Sequence, residues 1–121
     1  MTDRTSAAEA AALGEGLVAA GSRVALLVMG DGSAYGTEAA PRGFDERAAV
    51  VADDVVRALC SGDAAGLLAI DPALGRELAI AGRASWQVLT GALGASRWSA
   101  RTGMNSAPFG VRYLVARVVP G

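Results

Sequence analysis

The stretch Arg23-Val24-Ala25-Leu26-Leu27-Val28-Met29-Gly30-Asp31-Gly32-Ser33 decides the fold. Six apolar residues in a row, without the alternation of a half-exposed strand, predict a β-strand over residues 23–29 that is covered on both faces, as in the middle of a parallel sheet. Immediately upstream, residues 6–20 are rich in Ala, Leu and Glu and place Leu13 and Leu17 on one face. They predict a helix that Gly21 stops, although Gly14 and Gly16 lower its propensity. Helix, tight turn and central strand together predict a single α/β domain over residues 1–121, with a small, mostly parallel or mixed sheet and helices packed on it.

The loop after this strand is the most unusual of the chain. Gly30, Gly32 and Gly36 invite comparison with a dinucleotide-binding turn, in which glycines let backbone N–H groups approach a pyrophosphate. That turn needs a helix N-terminus directly behind the glycines, and here Pro41 and Gly43 intervene. A structural turn is the better reading. Open α/β sheets nevertheless place their ligand crevice at strand ends, so Gly30, Asp31, Gly32 and Ser33 form the candidate ligand-binding loop. The competing reading is that Asp31 and Ser33 bond their own loop backbone. Glu38, Asp45 and Glu46 lie nearby in sequence, but carboxylates of unknown separation read as solvated surface.

Further along, residues 45–60 predict an amphipathic helix. Glu46, Arg47, Asp53, Asp54 and Arg57 share one arc, with Asp53 and Arg57 spaced for an i,i+4 pair, and Ala48, Val51, Ala52, Val55 and Leu59 share the opposite arc. Two short helices are expected over residues 63–70 and 72–81, the second capped by Asp71 with Pro72 at its first position. Residues 85–93 predict a helix around Trp86 that Gly94 ends. Residues 97–101 and 111–119 predict two strands, the last one apolar enough at Leu114-Val115-Ala116 to be covered on both faces. Trp86 and Trp98 belong to the core or an interface. Arg83 is suited to an anion, a helix end or a carboxylate.

Composition narrows the chemistry further. The 121 residues include no histidine, and since the chain also lacks lysine all 11 basic residues are arginine. Without imidazole the chain cannot build a Ser-His-Asp triad, a histidine-bearing zinc or iron site, or a histidine general base. Arginine, protonated throughout the physiological range, is a poor proton acceptor. We therefore expect no catalytic residues and no metal ligands in the chain. A net charge of -1 without a basic stripe argues against nucleic acid. The longest apolar run is far shorter than the roughly 20 residues a membrane span needs, so the expected location is the cytoplasm. The single cysteine, Cys60, cannot form a disulfide within the chain and reads as a small buried hydrophobe.

Several blocks in order carry a family resemblance: residues 24–34, Phe44 to Ala48, Leu67 to Leu74, Ala81 to Leu89, and Ala107-Pro108-Phe109-Gly110-Val111. Together they resemble the C-terminal half of actinobacterial LigB-like proteins, a superfamily that includes the class III extradiol ring-cleavage dioxygenases. The resemblance implies an α/β domain whose N-terminal half holds a non-haem Fe(II) through histidines and whose active members open catechol-type rings. The chain is expected to begin after that half. The position matching the family's acid/base histidine falls near Ala34, which cannot move a proton. Where a carboxylate ligand is expected, near the Trp86 helix, Gly82 and Arg83 stand instead. The expectation is a non-catalytic or incomplete member, a binding or assembly module that self-associates as a homo-oligomer or joins a missing N-terminal half. The alternative is the rear half of a ring-cleavage enzyme whose histidines come from another chain.

Overall fold

The computed structural model describes residues 1–21, 23–35, 43, 45–94, 97–106, 111 and 113–120. Among these the chain is an α/β structure of five helices and one two-stranded sheet. Helix α1, Ala7–Ala19, starts at a reciprocal cap: the Ser6 hydroxyl accepts from the Glu9 amide, and the Glu9 carboxylate accepts from the Ser6 amide. Helix α2, Glu46–Ser61, begins where Asp45 accepts from the Arg47 amide and ends at Gly62 in the left-handed region. Asp63 and Asp71 cap the two short helices α3, Ala64–Leu68, and α4, Pro72–Glu77. Helix α5 spans Arg83–Leu93 and stops at Gly94.

Helix α4 is shorter than the expected span to residue 81, and its C-terminus explains why. The Ile80 amide donates to the Gly75 carbonyl and the Ala79 amide to the Arg76 carbonyl, the paired bonds of a Schellman ending. Ala79 occupies the position usually held by glycine and takes φ +49°. A sequence reading that looks for glycine as the stop signal passes over it.

The sheet corrects the largest expectation. Strands β1, Trp98–Ser106, and β2, Tyr113–Pro120, pair antiparallel from Trp98 opposite Pro120 to Ser106 opposite Tyr113, with an irregularity between Thr102 and Met104. No parallel pair exists among the described residues. Residues 23–29, expected as the central strand, carry no ladder bonds and are solvent-exposed apart from half-buried Val28, with Leu27 at 88% and Met29 at 69%. The apolar run announces a demand for burial, but a strand also needs a neighbouring edge for its backbone. Among the described residues no strand is hydrogen-bonded to this run. β1 is longer than expected because Met104, Asn105 and Ser106, read as part of a connection, join the ladder.

The core lies between α2, α3, α5 and one face of the sheet. Val55, Ala58, Leu59, Leu67 and Ile70 form its centre, with Trp86, Leu89, Ala100, Leu114 and Val118 packed around them. Trp98 is buried, and its indole N–H donates to the Leu59 carbonyl at 3.0 Å, tying β1 to the end of α2. β2 alternates, turning Leu114 and Val118 to the core while Val115, Arg117 and Val119 stay exposed or half-exposed. It is covered on one face only, contrary to expectation.

On the other side α1 crosses α5 at glycines. A Cβ on Gly14 would strike the Val88 carbonyl, and one on Gly91 would strike the backbone of Ala11. This close approach, rather than Leu13 and Leu17, sets the buried face of α1: Ala10 and Gly14 are buried while both leucines are exposed. Cys60 is also exposed, which corrects its expected burial. It lies three residues beyond Arg57, on the charged arc of α2. On that arc Arg57 pairs with Asp54 at 2.9 Å instead of with Asp53.

Candidate binding trough

The loop Gly30–Ser33 joins the exposed segment 24–30 to the helical body. A Cβ on Gly30 would collide with the Cα of Gly82, so the two backbones touch where the segment reaches α5. The Gly82 amide donates to the Asp31 carbonyl at 2.8 Å. Ser33 is buried, forms an isolated bridge with Ile80, donates its hydroxyl hydrogen to the Leu78 carbonyl, and accepts from the Tyr35 amide at 3.1 Å. The strained turn at Ala79 thus sits between the two residues, Leu78 and Ile80, that hold Ser33.

These contacts divide the four candidate residues. Gly32 and Ser33 face a small apolar cavity of about 20 Å³ beside Ala48, Val55 and Ile80. Gly30 and Asp31 stand at the end of a much larger trough. The Ser33 hydroxyl is committed to backbone partners and touches no base among the described residues, so nothing there activates it as a nucleophile. The Asp31 side chain is exposed and makes no ion pair among the described residues. Ala34, where the family resemblance would put a histidine, is half-buried in the turn after Ser33. Gly36, Glu38 and Pro41 lie outside the described residues.

The trough has a volume of about 640 Å³. One wall is the segment 24–31, another is β2, and Leu89, Ala92 and Leu93 of α5 line it together with Val18. β2 pairs with β1 along one edge only, so its second edge is unpaired among the described residues. Residues 24–30 and the outer edge of β2 therefore both present backbone groups without hydrogen-bond partners among the described residues, between side chains that are almost wholly apolar. Asp31 and Arg117 are the charged residues of the lining.

Arg83 and Gln87 serve the fold. Arg83, at 2% exposure, donates to the backbone carbonyls of Asp3 and Thr5 and to the side-chain oxygen of Gln87. Gln87, fully buried, donates in turn to the carbonyls of Leu67 and Ile70. The guanidinium thus clamps the N-terminal segment onto α5, which answers the question the sequence left open. Burial holds its pKa below the ordinary arginine value, and nearby Arg76 acts in the same direction. Gln87 escaped the sequence reading, although its i,i+4 spacing from Arg83 on an otherwise apolar helix is a signal for such a network.

Asp45 serves as the α2 cap. Its hydrogen bonds from Arg47 hold its carboxyl below the ordinary carboxylate range, and Arg47 reaches on to Glu77 at 3.0 Å. Because its folded pKa is lowered, whatever Asp45 contributes is present above its ordinary value of 3.8 and disappears as the pH falls through the lowered one. Glu46 is simply exposed.

No group of three or more His, Cys, Asp or Glu side chains that could hold a metal ion occurs among the described residues. With no histidine in the chain, these residues do not fit an Fe(II) centre of the kind the resemblance implies. No helix among the described residues is long and apolar enough to cross a membrane. Comparison with protein-family models, with curated proteins and with solved structures finds no match to this chain.

Proposed function

We propose that this chain is a cytoplasmic binding or assembly module without catalysis of its own, a non-catalytic relative of the LigB-like extradiol dioxygenases, and that the trough is its working surface. The observation that carries this reading is the exposed apolar segment 24–29 facing the unpaired edge of β2. Large exposed apolar patches on folded domains mark interaction sites, and two open edges favour recognition by strand addition. The Gly30–Ser33 loop fixes one end of the trough to the helical body, and Asp31 offers a charge at its rim.

A dye that fluoresces on exposed apolar surface tests the reading directly. At sub-micromolar protein concentration the native chain should bind anilinonaphthalene sulfonate, and Leu27→Glu together with Val119→Glu should abolish most of the signal while the far-UV circular dichroism stays unchanged. A native chain that leaves the dye dark has no open trough, and the reading falls.

The exposed Asp31 carboxylate favours a second version, in which another chain bearing histidines completes the trough and Asp31 joins a shared pocket. Mixing with such a chain would then restore metal binding that Asp31→Asn weakens.

A further inference from the structure

We infer that the occupant of the trough is a second copy of this chain, each copy laying its 24–29 segment along the free edge of the other's β2. This inference rests on the binding reading above and names the partner. The complement the trough calls for is an extended, uncharged, apolar strand, and the chain carries one in Val24-Ala25-Leu26-Leu27-Val28-Met29, free of ladder bonds. In one copy this segment lines the same trough as β2.

A strand entering the trough meets open backbone on both sides. When the entering strand is the other copy's 24–29, the two segments lie side by side about a two-fold axis. Each has its own copy's loop at one end and the partner's β2 along its outer edge. The order across the joined sheet is β1, β2, partner segment, own segment, partner β2, partner β1. Every edge facing the trough in the single copy is paired, and the arrangement closes on itself instead of growing into a fibre.

The magnitudes agree. Val24, Leu26, Leu27, Met29, Val115 and Val119 are all substantially exposed in one copy. Together they offer on the order of 500 Å² per copy, so two copies bury on the order of 1,000 Å², the lower bound of a specific interface. The charged lining residues, Asp31 and Arg117, are opposite in sign, so the surface is not self-repelling.

Light scattering and hydrogen exchange on the full chain test the inference. At tens of micromolar the mass should be twice 12.1 kDa. Amides 25–29 should then exchange at least about a hundredfold more slowly than in an unstructured peptide, and lose most of that protection on dilution to the same sub-micromolar range in which the dye binds. Leu27→Glu should give a monomer with unchanged helix content. A monomer whose 25–29 amides exchange freely while the dye still binds overturns the second copy as partner and leaves the binding reading standing. A monomer in which those amides are protected at every dilution means that the segment closes its own trough, and both fall. A dimer that ignores Leu27→Glu uses another face and also overturns the inference.

Discussion

The α1–α5 crossing and the trough wall at 24–30 are both written in small and apolar residues, and only the first is sealed. At the crossing, each helix has already satisfied its backbone internally, so contact at Gly14 and Gly91 suffices to exclude water. At the wall, the chain is extended and its N–H and C=O groups require a neighbouring edge before apolar side chains can be buried without cost. An apolar helix is finished by packing. An apolar strand is finished only by pairing, and here that pairing is left to another edge.

On this contrast the two regions should respond oppositely to substitution. The largest effect belongs to the crossing. Gly91→Ala adds one methyl group where the obstacle is the backbone of Ala11, so side-chain rearrangement cannot relieve it. The helices must separate, and after allowing for the better helix propensity of alanine we expect a loss of about 3 kcal/mol. Urea denaturation followed by circular dichroism reads this out, and an unchanged midpoint would mean that the crossing is looser than described.

Next comes the polar network that ties α5 to α3 and to the segment before α1. Gln87→Leu preserves bulk but strips the Leu67 and Ile70 carbonyls of their donor and leaves Arg83 one acceptor short. Unsatisfied buried groups of this kind make a loss of about 2 kcal/mol the expected outcome. Limited proteolysis adds a local readout: residues 1–5, held through Arg83, should become cleavable before the rest of the chain unfolds. Equal susceptibility in both proteins would show that the clamp does not hold the N-terminus.

How much of this is legible in the sequence differs between the same two regions. The helices announce themselves because their signals are local: Asp45 before the α2 arc, Asp71-Pro72 before α4, and Gly94 behind α5 all fix boundaries within a few residues. What escapes depends on neighbours distant in sequence. The run 24–29 declares apolar character but says nothing of whether an edge is present to receive it. Leu13 and Leu17 look like the core face of α1, yet the partner helix approaches through Gly14 and turns them outward. Cys60 can be placed correctly by counting three residues from Arg57. For the candidate loop, the backbone-bonding alternative anticipates the bond that Ser33 accepts from the Tyr35 amide two residues on, but its distant partner Leu78 cannot be read from spacing. The pairing of Arg83 with carbonyls of Asp3 and Thr5 spans most of the chain and leaves no local trace.

The turn that holds the loop offers an effect of opposite sign. Ala79 reaches its left-handed φ of +49° at the cost of steric crowding that glycine avoids. Ala79→Gly should therefore stabilise the chain by about 1 kcal/mol, part of it offset by the added freedom of the unfolded state. A rise in the thermal midpoint is the check. A fall would mean that the Ala79 methyl group contributes packing worth more than its strain.

The smallest expected effect separates the two regions most sharply. Leu27 is a large apolar side chain, and in a central strand covered on both faces its replacement by serine would cost several kcal/mol through the cavity and the stranded hydroxyl. In the single copy it is 88% exposed. Measured at sub-micromolar concentration, where copies are apart, Leu27→Ser should change unfolding stability by less than about 0.5 kcal/mol. The same substitution at tens of micromolar should weaken association, because there the side chain is enclosed by the partner's trough. A large loss in the dilute protein would place Leu27 inside the core of its own chain, and the open wall from which the binding role is argued would no longer exist.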